Sequence, residues 1–277
     1  MDLYTKNALQ CSKKTTRNYS TSFSLGVRLL AKRFRMPIHA IYGFVRFADE
    51  IVDTFHDHDK AKLLEEFRSD TYQAIQDKIS TNPILHSFQY VANKYGIERD
   101  IIDAFLGSMA MDLSYEDYNK QAFEKYVYGS AEVVGLMCLR VFTEGDEERY
   151  NYLVKPARKL GEAFQKINFL RDIRSDYLDR NRSYFPHINP ETFNDSDKEK
   201  IEADIALDFK EAYEGIKRLS KDSRLGVFLA YTYYKKLFLK IRNTKANNIM
   251  AQRYRISNSR KFLLLFNGYI RHKMNLI

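Results

Sequence analysis

Residues 37–55, PIHAIYGFVRFADEIVDTF, read as a helix that is apolar on almost every face and yet carries two carboxylates one turn apart. Steps of 100° per residue collect Tyr42, Arg46, Asp49 and Asp53 within about 60° of one another. Ile41, Phe44, Ala48, Ile51 and Val52 cover most of the remaining surface. Such a helix is expected to be buried, and buried carboxylates cost several kcal/mol each unless they are paired. The chain must therefore fold so that positive charge meets this stripe. Divalent cations together with Arg46 would meet it.

A second stretch, NFLRDIRSDYLDRNRSYFP at residues 168–186, repeats the spacing with Asp172 and Asp176. Taken alone it reads as surface charge, with Arg171, Arg174, Arg180 and Arg182 neutralising a solvated face. The helical wheel changes that reading. It gathers Gln165, Asn168, Asp172 and Asp176 within about 80°, opposite Leu160, Ala163, Phe164, Ile167 and Leu170. Amides that continue the acidic stripe look like the wall of a polar site. Two D-x-x-x-D pairs offer oxygen ligands on rigid helices and leave room for water or phosphate, which is what Mg²⁺ prefers, with Mn²⁺ as a substitute. Neither His nor Cys accompanies them, which argues against zinc or redox iron.

Helical periodicity runs through nearly all of the chain. With 20 Tyr and 19 Phe against 11 Gly and 5 Pro in 277 residues, turn-formers are scarce and long helices are favoured. Helices are expected at about 22–32, 37–57, 60–79, 97–113, 119–142, 147–178, 196–219 and 225–245. Pro37 is expected to open the second, Pro83 and Pro156 to punctuate others, and Ser196 with Glu199 to form a capping box. FHDHDK, residues 55–60, is read as the polar end of the second helix, because alternate helical residues diverge too far for one ion to use His56, Asp57, His58 and Asp59. No internal repeat is present. The expectation is an all-α fold in which residues 1–277 form a single domain.

Several classes are excluded or disfavoured. No G-x-G pair and no G-x-x-x-x-G-K-[ST] loop occurs, so Rossmann and P-loop nucleotide sites are not expected. Cys11 and Cys138 form no C-x-x-C and read as reduced thiols, which suits a cytoplasmic protein. MDLYTKNALQCSKK lacks an apolar signal region. The run FLLLF, residues 262–266, is far shorter than the ~20 residues a membrane span needs. From Ser223 onward there are 12 Lys and Arg and no Asp or Glu, while the other 222 residues carry 33 basic and 36 acidic side chains. A basic C-terminal fifth points to an anionic partner. No nucleic-acid module accompanies it, so nucleic acid is not expected. Weak peripheral contact with the inner face of a membrane is expected instead. No oligomeric state is read.

The segments YSTSF (19–23), IYGFVRFADEIVD (41–53), YVYGSAEVVGLM (126–137), LGEAFQKINFLRDIRSDYLDRNRSYFP (160–186) and RYRISNSRKFLLL (253–265) together resemble the squalene/phytoene synthase family of head-to-head prenyl transferases. The match runs through nearly the whole chain in order and is closest to the bacterial phytoene synthases. It implies an isoprenoid synthase fold, helices around a central cavity with two aspartate-rich helices facing each other. One departure stands out: the family often has Ala-Gly where this chain has Ala131 and Glu132. Glu132 either lines the cavity mouth or pairs with a basic neighbour, and pairing is the favoured reading.

By the same resemblance, Ser20, Ser22, Phe23, Tyr42, Arg46, Tyr128, Gln165, Asn168, Arg171 and Tyr184 match positions that contact diphosphates, metals or prenyl chains. Asp49, Asp53, Asn168, Asp172 and Asp176 are the expected metal ligands. Asp49, Asp53, Asp172, Asp176, Tyr42, Arg46 and Tyr128 are the expected catalytic set. Alternatives stand beside these readings: helix capping for Ser20 and Ser22, pairing with adjacent aspartates for Arg46 and Arg171, and core packing for Phe23 and Tyr128. The implied reaction joins two geranylgeranyl diphosphates to phytoene. The nearest rival joins two farnesyl diphosphates to squalene or dehydrosqualene, and only squalene would require NADPH. A non-catalytic membrane-associated assembly protein on the same fold is the rival of another class, and retention of both acidic pairs speaks against it.

Overall fold

The computed structural model describes residues 1–114, 118–180, 182–186, 188–250 and 254, apart from the Asp179 and Arg180 side chains. The basic residues Arg253, Arg255, Arg260, Lys261, Arg271 and Lys273, the run FLLLF, and all of RYRISNSRKFLLL except Tyr254 therefore lie outside the described residues.

Among the described residues the helices are α1 (Leu3–Tyr19), α2 (Thr21–Arg28), α3 (Lys32–Asp53), α4 (Lys60–Asp77), α5 (Pro83–Tyr95), α6 (Arg99–Met111), α7 (Lys120–Val127), α8 (Val133–Thr143), α9 (Glu147–Arg180), α10 (Asp195–Arg218), α11 (Lys221–Arg242) and α12 (Ala246–Ile249). A π-helical turn, Tyr128–Glu132, joins α7 to α8, and a short 3₁₀ turn, Pro190–Thr192, precedes α10. No strand occurs among the described residues, in agreement with the all-α expectation.

The helix ends follow local chemistry. Ser20 caps α2, its Oγ accepting from the Phe23 amide at 3.2 Å, so the capping reading holds for this residue. Asn82 caps α5, Pro83 fills the first position where no amide is needed, and Gly96 at φ 66° ends it.

Four expectations need correction. Pro37 lies inside α3, which begins at Lys32; its missing amide leaves the Arg33 carbonyl without that helical partner. The second helix stops at Asp53, and FHDHDK is a turn rather than a helix end. There Asp59 caps α4 by accepting from the Lys62 amide at 3.0 Å, and the Lys60 ammonium donates to the Val52 carbonyl at 2.9 Å. Ser196 is no cap: Asn194 takes that place, its Oδ1 accepting from the Ser196 and Asp197 amides at 2.9 and 3.2 Å. The helix expected over 119–142 is interrupted by the π turn, in which one extra residue per turn rotates the side chains that follow.

Two packed cores flank a central space. In one, Phe44 of α3 stacks on Phe88 of α5 at 3.8 Å between ring centres, with Phe105 of α6 at 5.3 Å. In the other, Ile167 and Leu170 of α9 pack in one cluster with Ile205 and Phe209 of α10 and Phe238 of α11. Each such buried side chain contributes roughly 1.5–3 kcal/mol. The helices around the space approach backbone to backbone at two glycines. A Cβ on Gly226 of α11 would meet Leu30 Cδ2 at 2.5 Å and the Gly26 carbonyl of α2 at 2.9 Å. A Cβ on Gly161 of α9 would meet the Ala131 carbonyl at 2.6 Å.

Candidate active site

The central space is an apolar cavity of about 310 Å³ bounded by α2, α3, the π turn, α8, α9, α10 and α11. Among its lining residues the polar side chains are Ser22, Ser130 and Gln165, with the thiol of Cys138 deeper in. Gln165 Nε2 donates to Ser130 Oγ at 3.2 Å, and this pair marks the polar end. The opposite end lies beside Leu153 of α9. Twelve residues separate Leu153 from Gln165, so the cavity is ~18 Å deep at 1.5 Å per residue.

The aspartates do not line the cavity itself; Asp49 acts electrostatically on Tyr42 and Asp172 on Tyr234, the rings stacked on the lining residues Phe23 and Phe164. On α3, Asp49 lies 3.9 Å from Arg46, whose guanidinium also pairs closely with Glu50 and sits 4.4 Å above the Tyr19 ring. Asp49 retains about a third of its side-chain exposure, 33%, yet protein crowds it closely enough to desolvate it. Burial pushes its carboxyl up to about 7; Arg46 opposes this, while Asp53 and Asp112 add to it. On α9, Asp172 accepts from Arg171 Nε at 2.9 Å. Both arginines are thus engaged by carboxylates, the pairing that the sequence left open. Arg174 faces solvent, as the surface reading expects.

Two aromatic pairs separate the acids from the apolar depth. Phe23 of α2 stacks on Tyr42 of α3 at 4.8 Å, and Tyr42 hydrogen-bonds with Ser20 while burial raises its hydroxyl. Across the opening, Phe164 of α9 stacks on Tyr234 of α11 at 3.9 Å and 14°. The Tyr234 hydroxyl donates to Asn168 Oδ1 at 3.4 Å and feels the charges of Arg171 and Asp172. Tyr234 also lies within electrostatic reach of Tyr42 on α3.

Asp112, the residue that ends α6, completes the acidic end. It accepts from the Tyr126 hydroxyl at 2.9 Å and from Arg182 at 3.1 Å, and its carbonyl accepts from the same guanidinium at 2.6 Å. Arg182 therefore does not belong with the surface charges. Tyr184 reaches this cluster by its hydroxyl, 3.3 Å from Arg182, while its ring stacks on Phe169 at 4.2 Å inside the second core. Tyr128 is absent from the cavity lining; its ring lies 5.0 Å from the Arg158 guanidinium. Arg158 in turn donates to Glu132 at 2.5 Å, so Glu132 pairs as the favoured reading holds. Asp112, Arg182 and Tyr234 escaped the sequence reading because each is a lone residue brought in by tertiary packing. The adjoining R-S-Y-F run is the one local signal for Arg182.

The donor set beside the mouth is all oxygen, with Asp53 and Asp112 adding negative charge around Asp49. It suits a hard divalent cation. A second acidic group, Glu162, Asp204 and Asp208, does not. Lys166 already sits among all three, 2.7 Å from Asp208 and 2.6 Å from Glu162, and Lys159 lies 2.9 Å from Asp208.

An all-α enclosure with an apolar depth and an acidic mouth is the isoprenoid synthase fold. The chain superposes on a dehydrosqualene synthase with a TM-score of 0.82 at 21% identity, covering 98% of each chain. It superposes on the squalene synthase HpnC of Alicyclobacillus acidocaldarius with a TM-score of 0.76 at 18% identity, covering 87% of this chain and 95% of that one. Residues 16–204 match the squalene/phytoene synthase family. The chain belongs to that family, a family of prenyl transferases. It is 29% identical to the 15-cis-phytoene synthase of Synechocystis sp. over 306 aligned positions, covering 96% of this chain and 86% of that protein. With the 4,4'-diapophytoene synthase of Staphylococcus haemolyticus it shares 28% over 195 positions, covering 69% and 67%. It spans about two thirds of the length of several curated relatives it matches, 66% for the maize phytoene synthase 3.

Proposed function

We propose that residues 1–277 act as a single domain that joins two geranylgeranyl diphosphates head to head, giving phytoene by way of a cyclopropyl diphosphate. The observation that carries this reading is one apolar cavity with aromatic rings stacked beside its polar end, Tyr42 in the field of Asp49 and Tyr234 in that of Asp172.

Asp49, Asp53, Asp172 and Asp176, with the Asn168 amide oxygen, would hold Mg²⁺, which supplies Lewis-acid neutralisation of the leaving diphosphate. Arg46 and Arg171 bind the diphosphate oxygens when these displace their present carboxylate partners. Ser20 and Ser22 add hydroxyl contacts at the mouth. Cleavage of the first carbon–oxygen bond leaves an allylic cation, and the apolar wall keeps water from quenching it. Phe23 and Tyr42 present ring faces to that charge, worth about 2 kcal/mol when desolvated. The double bond of the second substrate attacks the cation, and proton loss closes the cyclopropane. A second ionisation, rearrangement and proton loss give the hydrocarbon. Tyr184 supports the acidic end through Arg182, and Tyr128 supports the π turn beside Ser130.

Incubation of the purified protein with geranylgeranyl diphosphate and Mg²⁺ is expected to yield phytoene without NADPH. Hydrocarbon from neither geranylgeranyl nor farnesyl diphosphate would overturn the reading. Likeness to the staphylococcal 4,4'-diapophytoene synthase favours a second reading, two farnesyl diphosphates giving dehydrosqualene. Dominance of that product would establish it; squalene formation would require NADPH. No helix among the described residues is long and apolar enough to cross a membrane. Access to greasy substrates is proposed to come from peripheral contact between the basic C-terminal fifth and anionic lipid, checked by vesicle co-sedimentation.

A further inference from the structure

Among the aliphatic side chains lining the deep part of the cavity stands one aromatic ring, Phe142, with a second ring packed behind it. On α8 the lining residues Val134, Cys138 and Phe142 follow one another at one-turn spacing, and Phe142, in the last turn, lines the same cavity as Leu153 of α9. Phe142 keeps partial exposure. Behind it Phe34 of α3 is fully buried and meets the Phe142 ring edge-on at 5.5 Å and 73°. Behind Phe34 lies the Arg33 guanidinium, 4.4 Å from that ring.

Arg33 fastens three elements at once. Its Nε lies 3.1 Å from both oxygens of Glu144, just past the end of α8. Its terminal nitrogen donates to Asp222 in the first turn of α11 at 2.8 Å. The Asp222 carbonyl accepts from the Ala31 amide at 2.8 Å, just before α3. Leu139, Leu153 and Leu219 of the same end pack together with Tyr150. A chain reaching Phe142 meets a ring backed by the fully buried Phe34, with the helix ends joined at the surface through Arg33.

We infer that Phe142 is the depth stop that sets the length of prenyl chain this protein accepts; the inference rests on the prenyl-diphosphate reading of the site. A chain entering from Gln165 has ~18 Å of helix length before the stop, the reach of four extended isoprene units and more than three need. Cys138 lies one turn nearer the mouth, ~6 Å higher at 1.5 Å per residue. Raising the stop to that level removes room for about one isoprene unit. Lowering it by truncating Phe142 opens the space occupied by its ring.

The test is calorimetric binding of the S-thiolodiphosphates of farnesyl, geranylgeranyl and geranylfarnesyl alcohols in Mg²⁺, with hydrocarbon formation from the three diphosphates followed in parallel. The wild-type protein is expected to bind the geranylgeranyl analogue best. Phe142→Ala should improve the geranylfarnesyl-to-geranylgeranyl affinity ratio at least tenfold, on the scale by which apolar pockets discriminate chain increments. Cys138→Phe should move the preference to farnesyl. If Phe142→Ala does not fold, Phe142→Leu reads the same shift at smaller size. An unchanged ranking in all variants overturns the inference. Chain-length-dependent binding that shifts as stated, with no hydrocarbon from any diphosphate, supports the depth stop and overturns the catalytic reading instead.

Discussion

Arg182 binds Asp112 twice, through the side chain at 3.1 Å and through the carbonyl at 2.6 Å. The segment after α9 is thereby fixed to the end of α6 beside Asp49, whose carboxyl Asp112 helps to raise. Both partners are largely buried, 13% and 6% exposed. Removing one leaves the other in a poor environment, at a cost of about 3–5 kcal/mol. Arg182→Ala should lose about 3 kcal/mol in denaturant unfolding, and adding Asp112→Asn should restore part of it. Equal losses in the single and double variants would contradict this.

Asp49→Asn and Asp172→Asn should each lower hydrocarbon formation by at least about a thousandfold, the scale on which preorganised charge stabilisation acts. Asp49→Asn should not lower the melting temperature without metal, since it relieves a carboxyl that burial pushes up to about 7, whereas Asp172→Asn should lower it by leaving the Arg171 guanidinium without its carboxylate. Stabilisation by Mg²⁺ with inorganic diphosphate, read as a melting shift, should vanish in both.

The Glu132–Arg158 pair is lopsided, with Glu132 8% exposed at its side chain and Arg158 45%. Arg158→Ala strands a buried carboxylate and is expected to cost about 3 kcal/mol. Glu132→Ala leaves a guanidinium that water can reach and should cost under about 1 kcal/mol. Urea titrations of both variants decide the order, and the reverse order would refute the pairing argument.

His39 gives a pH signature. Burial holds its imidazole down to about 4, with Lys13 and Arg17 adding, against an ordinary value of 6.5. The unfolded chain takes up a proton below 6.5 and the folded chain resists doing so until about 4. Stability from the neutral ring is therefore complete above 6.5 and lost as pH falls through this window, by up to about 1.4 kcal/mol per pH unit. His39→Phe should flatten that part of the stability profile relative to wild type.

The acidic pairs were legible because an apolar helix gains nothing from carboxylates one turn apart unless positive charge meets them. The all-α architecture was legible in the scarcity of turn-formers. Besides the single turn α12, two longer helices escaped, for opposite reasons. The buried face of α1 is Thr5, Ala8, Leu9, Ser12 and Thr16, too small and polar to mark a stripe. In α5, Ile84 through Gln89 are buried in succession, leaving no polar contrast to set a period. Tyr128 matched a family motif, yet the π turn sends its ring toward Arg158, and no periodicity argument registers such an insertion. Tyr234 carried no signal, since its meaning arises from Phe164 and Asn168 on another helix.

The glycine contacts of α9 and α11 bear on how such a protein can diversify. Where Gly226 meets Gly26 and Gly161 meets Ala131, the cavity wall is main chain, and changing its girth requires whole helices to part. On the depth-stop proposal its length is set at Phe142 of α8, a side chain that a single codon can exchange. On that proposal one substitution lengthens or shortens the cavity in a descendant of this chain, while its bore, set by main chain, stays inherited.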